Sequence, residues 1–246
     1  MTEGKQVKTN YQNERELVVQ TIDDLIHHGH LECNGGAVAL RLADGNMMMT
    51  PTGAAVRRWR TEPEDLIVMT MQGDVVERGQ YTSAASTLQC LMLLRAFPDA
   101  NAIVHSHSPW SLTYAALGVS IPSAITSFDR YGDVPCIRCD DQELKRRFKE
   151  QPWPVEMPAA MLPRPEVAAV GEWVASKAVD VLASRTDELT AHGLAFTMYR
   201  HGIVVFAKSL ERAVQDLTAI EANARIAQQS SVLRTAIADP GSDNPS

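Results

Sequence analysis

No stretch of this 246-residue chain approaches the roughly 20 consecutive apolar residues that a membrane-spanning helix needs. The opening segment, MTEGKQVKTNYQNER, lacks the apolar core of a secretory signal. Both absences predict no membrane partner and a cytoplasmic location. Excess basic charge is missing as well. The chain has 23 Lys and Arg against 30 Asp and Glu, a net charge of −7. Phosphate binding needs a basic face, so no nucleic-acid partner is expected. Cysteine is scarce, at four residues. Cys33 and Cys90 stand apart, while Cys136 and Cys139 form a C-x-x-C inside a predicted strand. Residues i and i+3 of a strand face opposite ways, so structural thiols are expected there rather than a redox pair.

Periodicity supplies the elements. Leu17, Val18, Ile22, Leu25 and Ile26 form a helical stripe within residues 12–29, closed by Gly29. His27, His28 and His30 at its end read as exposed or capping imidazoles. Strands over 37–42 and 47–50 flank an Asp44-Gly45-Asn46 hairpin turn, and residues 66–71 and 73–76 suggest a second hairpin. A helix over 83–96, a buried strand over 102–107, a short helix over 109–117 and a strand over 133–139 follow. Residues 141–165 hold a charged run and four prolines, and read as a surface helix and an irregular loop. A helix over 166–184, strands over 194–199 and 202–207 and a helix over 210–232 complete the pattern. This predicts a single α/β domain over 11–232 with a mixed, mainly antiparallel sheet, a flexible N-terminus at 1–10 and a disordered tail at 233–246.

Residues 104–108 are Val-His-Ser-His-Ser. Side chains at i and i+2 of a strand share a face, so His105 and His107 project side by side. His201, between two apolar runs, could supply a third nitrogen. Three protein ligands with an open position is the layout of a catalytic zinc site, whereas a structural site closes with four. The alternative is three hydrogen-bonded core histidines. His192 is expected at the surface.

Several segments occur in a telling order. They are Thr50-Pro-Thr-Gly53, Asp65-Leu-Ile-Val, Gly73-Asp-Val-Val-Glu-Arg-Gly79, Pro98-Asp-Ala-Asn-Ala-Ile-Val-His-Ser-His-Ser-Pro109, Arg200-His-Gly-Ile-Val and Ser209-Leu-Glu-Arg-Ala213. Over residues 15–225 the chain resembles the class II aldolase/adducin family, which includes fuculose-phosphate aldolase and ribulose-phosphate 4-epimerase. The resemblance implies a three-layer α/β/α fold with a central mixed sheet. It also implies a homotetramer with the active site near a subunit boundary, and a divalent metal on His105, His107 and His201. Zinc is the first choice of metal, with iron or manganese as alternatives.

The departures are as informative. The family's catalytic glutamate falls on Ser86, and its phosphate-binding serines fall on Ala84 and Ala85. A second phosphate element becomes Gly35-Gly36-Ala37-Val38-Ala39. Thr52 and Gly53 survive from a third and are candidate substrate-binding residues. A dianionic phosphate needs several donors, so a non-phosphorylated substrate is expected. An isolated serine hydroxyl does not serve as a general base near neutrality. The acid or base is then sought among Tyr81, Tyr114, Asp129 and Tyr131, with Ser86 of doubtful role. Arg57, Arg58 and Arg60 follow the retained turn, and Arg57 could hold a carboxylate with its guanidinium fork, although solvated surface charge is the competing reading.

Three functions follow. The first is a divalent-metal-dependent lyase that cleaves a C–C bond, by decarboxylation or aldol-type cleavage, in a small carboxylic acid or carbonyl substrate. The second is a mononuclear non-haem iron oxygenase of the same fold. The third is a non-catalytic, adducin-like interaction module.

Overall fold

The structure, a computed structural model, describes residues 11–32, 35–81, 84, 86–138, 142 and 165–238. The chain runs α1 (Gln12–His27), β1 (Ala37–Arg41), β2 (Met47–Met49), β3 (Ile67–Met69), β4 (Val75–Glu77), α2 (Thr87–Ala96) and β5 (Ala102–Ser106). It continues α3 (Pro109–Leu117), β6 (Cys136–Ile137), α4 (Pro165–Leu182), β7 (Leu194–Met198), β8 (Gly202–Ala207) and α5 (Leu210–Ala238). The strands form one sheet in the order β4-β3-β2-β1-β5-β8-β7-β6. Every neighbouring pair is antiparallel except β6 with β7. This is the mixed, mainly antiparallel sheet that was expected.

Strand side chains alternate between two cores, one on each face of the sheet. Val38, Leu40, Met48, Val104 and Val205 meet Val18, Ile22 and Leu25 of α1 and Leu217 and Ile220 of α5. Ala39, Met47, Met49, Ile103 and Phe206 meet Leu91 and Leu94 of α2 and Trp173 and Val174 of α4. Helices cover both faces, which explains why the strands are almost continuously apolar. The result is the α/β/α arrangement.

Several boundaries differ from expectation. The final helix runs past Val232 to Ala238, six residues into the segment expected to be disordered. Leu233–Ala238 contains no helix breaker, and the first proline is Pro240. The helix expected from 83 starts at Thr87, because Thr87 closes a turn onto the Ala84 carbonyl through both its N–H and its hydroxyl. The strand expected over 133–139 shrinks to Cys136–Ile137, and Val134 makes a separate bridge to Ile121. The flexible N-terminus, the surface helix and loop of 141–165, the last eight residues, Cys33 and Cys139 fall outside the described residues, apart from Gln142 and Pro165.

Candidate metal centre

β5 lies near the middle of the sheet, between β1 and β8. His105 sits on it opposite Ala37 of β1 and Val204 of β8, and His107 follows just past its end. The β7–β8 turn carries His201, whose N–H closes onto the Met198 carbonyl at 3.0 Å. The three rings converge. Their centroids are 5.0 Å apart for His105–His107, 5.1 Å for His105–His201 and 5.0 Å for His107–His201. One nitrogen from each lies within 4.8 Å of the others. Among the described residues this is the one cluster of three or more metal-ligating side chains.

Electrostatics keep these rings neutral. Burial, then the neighbouring His201 and His107, holds His105 well below the usual imidazole range. Burial and His201 push His107 down to about 4, and burial lowers His201. Neutral imidazoles present lone pairs, as a metal requires. His105 Nδ1 donates to the Ile203 carbonyl at 3.0 Å, which leaves the Nε2 lone pair free for a cation. The buried His107 Nε2 has no hydrogen-bond partner among the described residues, a state that costs about 1–3 kcal/mol unless something satisfies it. Three neutral nitrogens, one tautomer fixed and one nitrogen orphaned, fit a divalent cation. The alternative of three hydrogen-bonded core histidines does not account for the orphan.

Two glycines make room for the rings. A Cβ on Gly35, whose φ is 154°, would stand 2.3 Å from His107 Cε1. A Cβ on Gly202 would stand 2.4 Å from the Ser106 carbonyl and 2.8 Å from His107 Cδ2. Sequence reasoning missed both as parts of the site, although each lies in a segment that carries the family resemblance or departs from it.

Ser86 stands at the start of α2, where its carbonyl accepts from Cys90 N–H. Thr52, Gly53 and Arg57 share one turn, and Arg57 Nη1 donates to the Thr52 carbonyl at 3.0 Å. The Arg57 guanidinium lies 3.6 Å above the Tyr81 ring, and its Nε and Nη2 are buried with no hydrogen-bond partner among the described residues. Arg58 and Arg60 are both exposed, in keeping with surface charge, whereas Arg57 is half-buried. Tyr114 is on α3, with its hydroxyl 3.5 Å from the Ala224 carbonyl. Tyr131 is buried and donates to Asp216 of α5 at 2.7 Å. Asp129 accepts from the Ser123 hydroxyl.

Two histidines expected at the surface are buried. His192 packs against Tyr131 with centroids 4.7 Å apart. His30 bonds to Thr218 of α5. Both contacts join residues far apart in the chain, which the one-dimensional pattern around each histidine does not reveal.

The sequence profile of the Class II Aldolase and Adducin N-terminal domain matches residues 16–228. Among solved structures, YgbL from Klebsiella pneumoniae is 25% identical, with 95% of this chain and 92% of that chain covered and a TM-score of 0.64. YgbL from Escherichia coli is 24% identical, with 87% and 88% covered and a TM-score of 0.63. The fuculose-1-phosphate aldolase of Thermus thermophilus is 16% identical, with 91% and 99% covered and a TM-score of 0.62. The chain belongs to the class II aldolase and adducin N-terminal domain family.

Proposed function

We propose that this protein is a divalent-metal-dependent carbon–carbon lyase acting on a non-phosphorylated oxo or hydroxy acid. The observation that carries the reading is the convergence of His105, His107 and His201 around the orphaned His107 Nε2. A bound divalent cation, zinc first, supplies the positive charge that polarises a substrate carbonyl.

The rest concerns the chain's own groups. Ala84, Ala85 and the Gly35–Ala39 run offer no side-chain donors to a phosphate. The Arg57 Nε and Nη2 are adjacent donors on one edge of a planar cation, which suits a carboxylate held by two parallel hydrogen bonds. That edge is closed, so a carboxylate reaches it by displacing the groups packed over it. Ser86 supplies no base near neutrality, and this favours decarboxylation, in which CO2 departs without prior proton removal and the remaining carbon then takes up a proton. Tyr131 and Asp129 are committed to hydrogen bonds within the fold. Tyr81, beneath the Arg57 guanidinium, is the proton carrier in this reading, ahead of Tyr114. YgbL, a relative of similar length, stands among aldolase, epimerase and decarboxylase, which is the same range of chemistry. The homotetramer implied by the family resemblance and the cytoplasmic location expected from the sequence belong to this reading too.

The test is turnover of a panel of 2-oxo, 3-oxo and hydroxy acids by protein loaded with zinc, manganese, cobalt or iron, scoring CO2 and aldehyde release. Release from a free acid supports the reading. Turnover confined to sugar phosphates, or an oxygen uptake that depends on Fe(II), overturns it.

A further inference from the structure

Ser106 shares its face of β5 with Val104, toward α1 and α5, and Ser108 follows beyond the strand end, just before α3. Both are fully buried. The ladder between β5 and β8 ends at Ser106 opposite Ile203, so His107 lies beyond the last paired residue. Its ring Nε2 has no hydrogen-bond partner among the described residues. What fixes the backbone from 106 to 108 therefore fixes His107.

Ser106 Oγ is the centre of that fixing. Its proton goes to the His30 carbonyl. The same oxygen accepts from Ser108 N–H at 3.0 Å. It also lies 2.5 Å from Ser108 Oγ, which must be the donor there because the Ser106 proton is already committed. His30 is itself anchored. The Thr218 hydroxyl donates to the Val214 carbonyl at 2.9 Å, so His30 Nε2 is the donor in its 3.0 Å bond to Thr218 Oγ1. The His30 N–H donates to the Leu25 carbonyl at 2.7 Å. Gly35, further along the chain, stands against the His107 ring, where an added Cβ would lie 2.3 Å from Cε1.

We propose that Ser106 is a positioning residue for the metal centre: it ties the exit of β5 to the anchored His30 carbonyl and thereby sets His107 against His105 and His201. The inference rests on the metal reading above. Ser106 touches no ligand nitrogen and acts through His107 alone.

Cobalt titration of the metal-free protein, read from visible absorption bands and calorimetry, tests it. Ser106→Ala weakens Co(II) binding by about tenfold to a hundredfold, the range for a lost outer-shell support, and changes the bands. Ser106→Cys, a weaker donor of similar size, gives an intermediate loss and stands in should the alanine variant not fold. Ser108→Ala, which keeps the bonds of Ser106 to His30 and to the Ser108 N–H, changes affinity by less than about threefold on the same outer-shell scale. In a His107→Ala background, Ser106→Ala produces no further loss. Parent-like binding by Ser106→Ala, or an equal loss with His107 already absent, overturns the inference alone. A parent protein that takes up no Co(II) overturns the metal reading and this inference with it.

Discussion

His105 Nδ1 and the Ile203 carbonyl oxygen are 3.0 Å apart, the ring donating across from β5 to the neighbouring strand β8. The bond selects a tautomer and turns Nε2 toward the cluster. A ring nitrogen NMR experiment on metal-free protein is expected to find His105 neutral and protonated at Nδ1, with the Nε2 signal moving when Zn(II) is added. An Nε2–H tautomer would remove the argument for its ligand role.

Gly35→Ala tests the room behind His107. The added methyl group would stand 2.3 Å from the ring, at a φ that side chains avoid. Overpacking of this kind costs about 1–3 kcal/mol. The expected result is a lower melting temperature together with weaker metal binding, because the ring must move. An alanine variant with parental metal affinity would show that the ring position is not set by this contact.

Arg57→Lys separates a fork from a charge. Lysine keeps the charge but cannot present two parallel donors from one plane. Hydrogen bonds to charged groups contribute about 1.5–3 kcal/mol, so KM for a carboxylate substrate should rise roughly tenfold to a hundredfold. Equal KM values for the two proteins would return Arg57 to the surface-charge reading.

Acid should destabilise the metal-free protein. Burial, followed by His28, pushes His30 down to about 4, and burial followed by His201 does the same to His107. In the unfolded chain both protonate near 6.5. Between those values the unfolded state binds more protons, so stability is full above about pH 6.5 and is lost as pH falls toward about 4. Glu221, raised by burial, works in the opposite direction. Melting temperatures from pH 8 to pH 4.5 should fall, and His30→Asn should show a shallower fall. A flat profile would contradict the burial of neutral imidazoles.

Much of this was legible in one dimension because it depends on short-range periodicity. The i, i+2 spacing of His105 and His107 survives folding because both lie at one strand end. His201 needed only a turn between two strands. The order of the β7–β8 and β1–β2 pairs followed from turn residues. What stayed hidden depends on contacts far apart in the chain. His30 meets Thr218 across 188 positions and Tyr131 meets Asp216 across 85. No local pattern marks either, so a histidine at a helix end read as exposed or capping and Tyr131 read as a candidate acid or base. The alternation His-Ser-His-Ser did hold the signal for the serines, since a strand buried on both faces must satisfy polar groups on each.

Metal stoichiometry tests the central claim most directly. Elemental analysis and Zn(II) titration of the parent protein should find one divalent cation per chain. His105→Ala, His107→Ala and His201→Ala should each bind far more weakly than the parent, filling only at a large excess of metal, while keeping the parental circular dichroism spectrum. A folded parent that binds no divalent cation, or three alanine variants that bind as the parent does, would contradict the account.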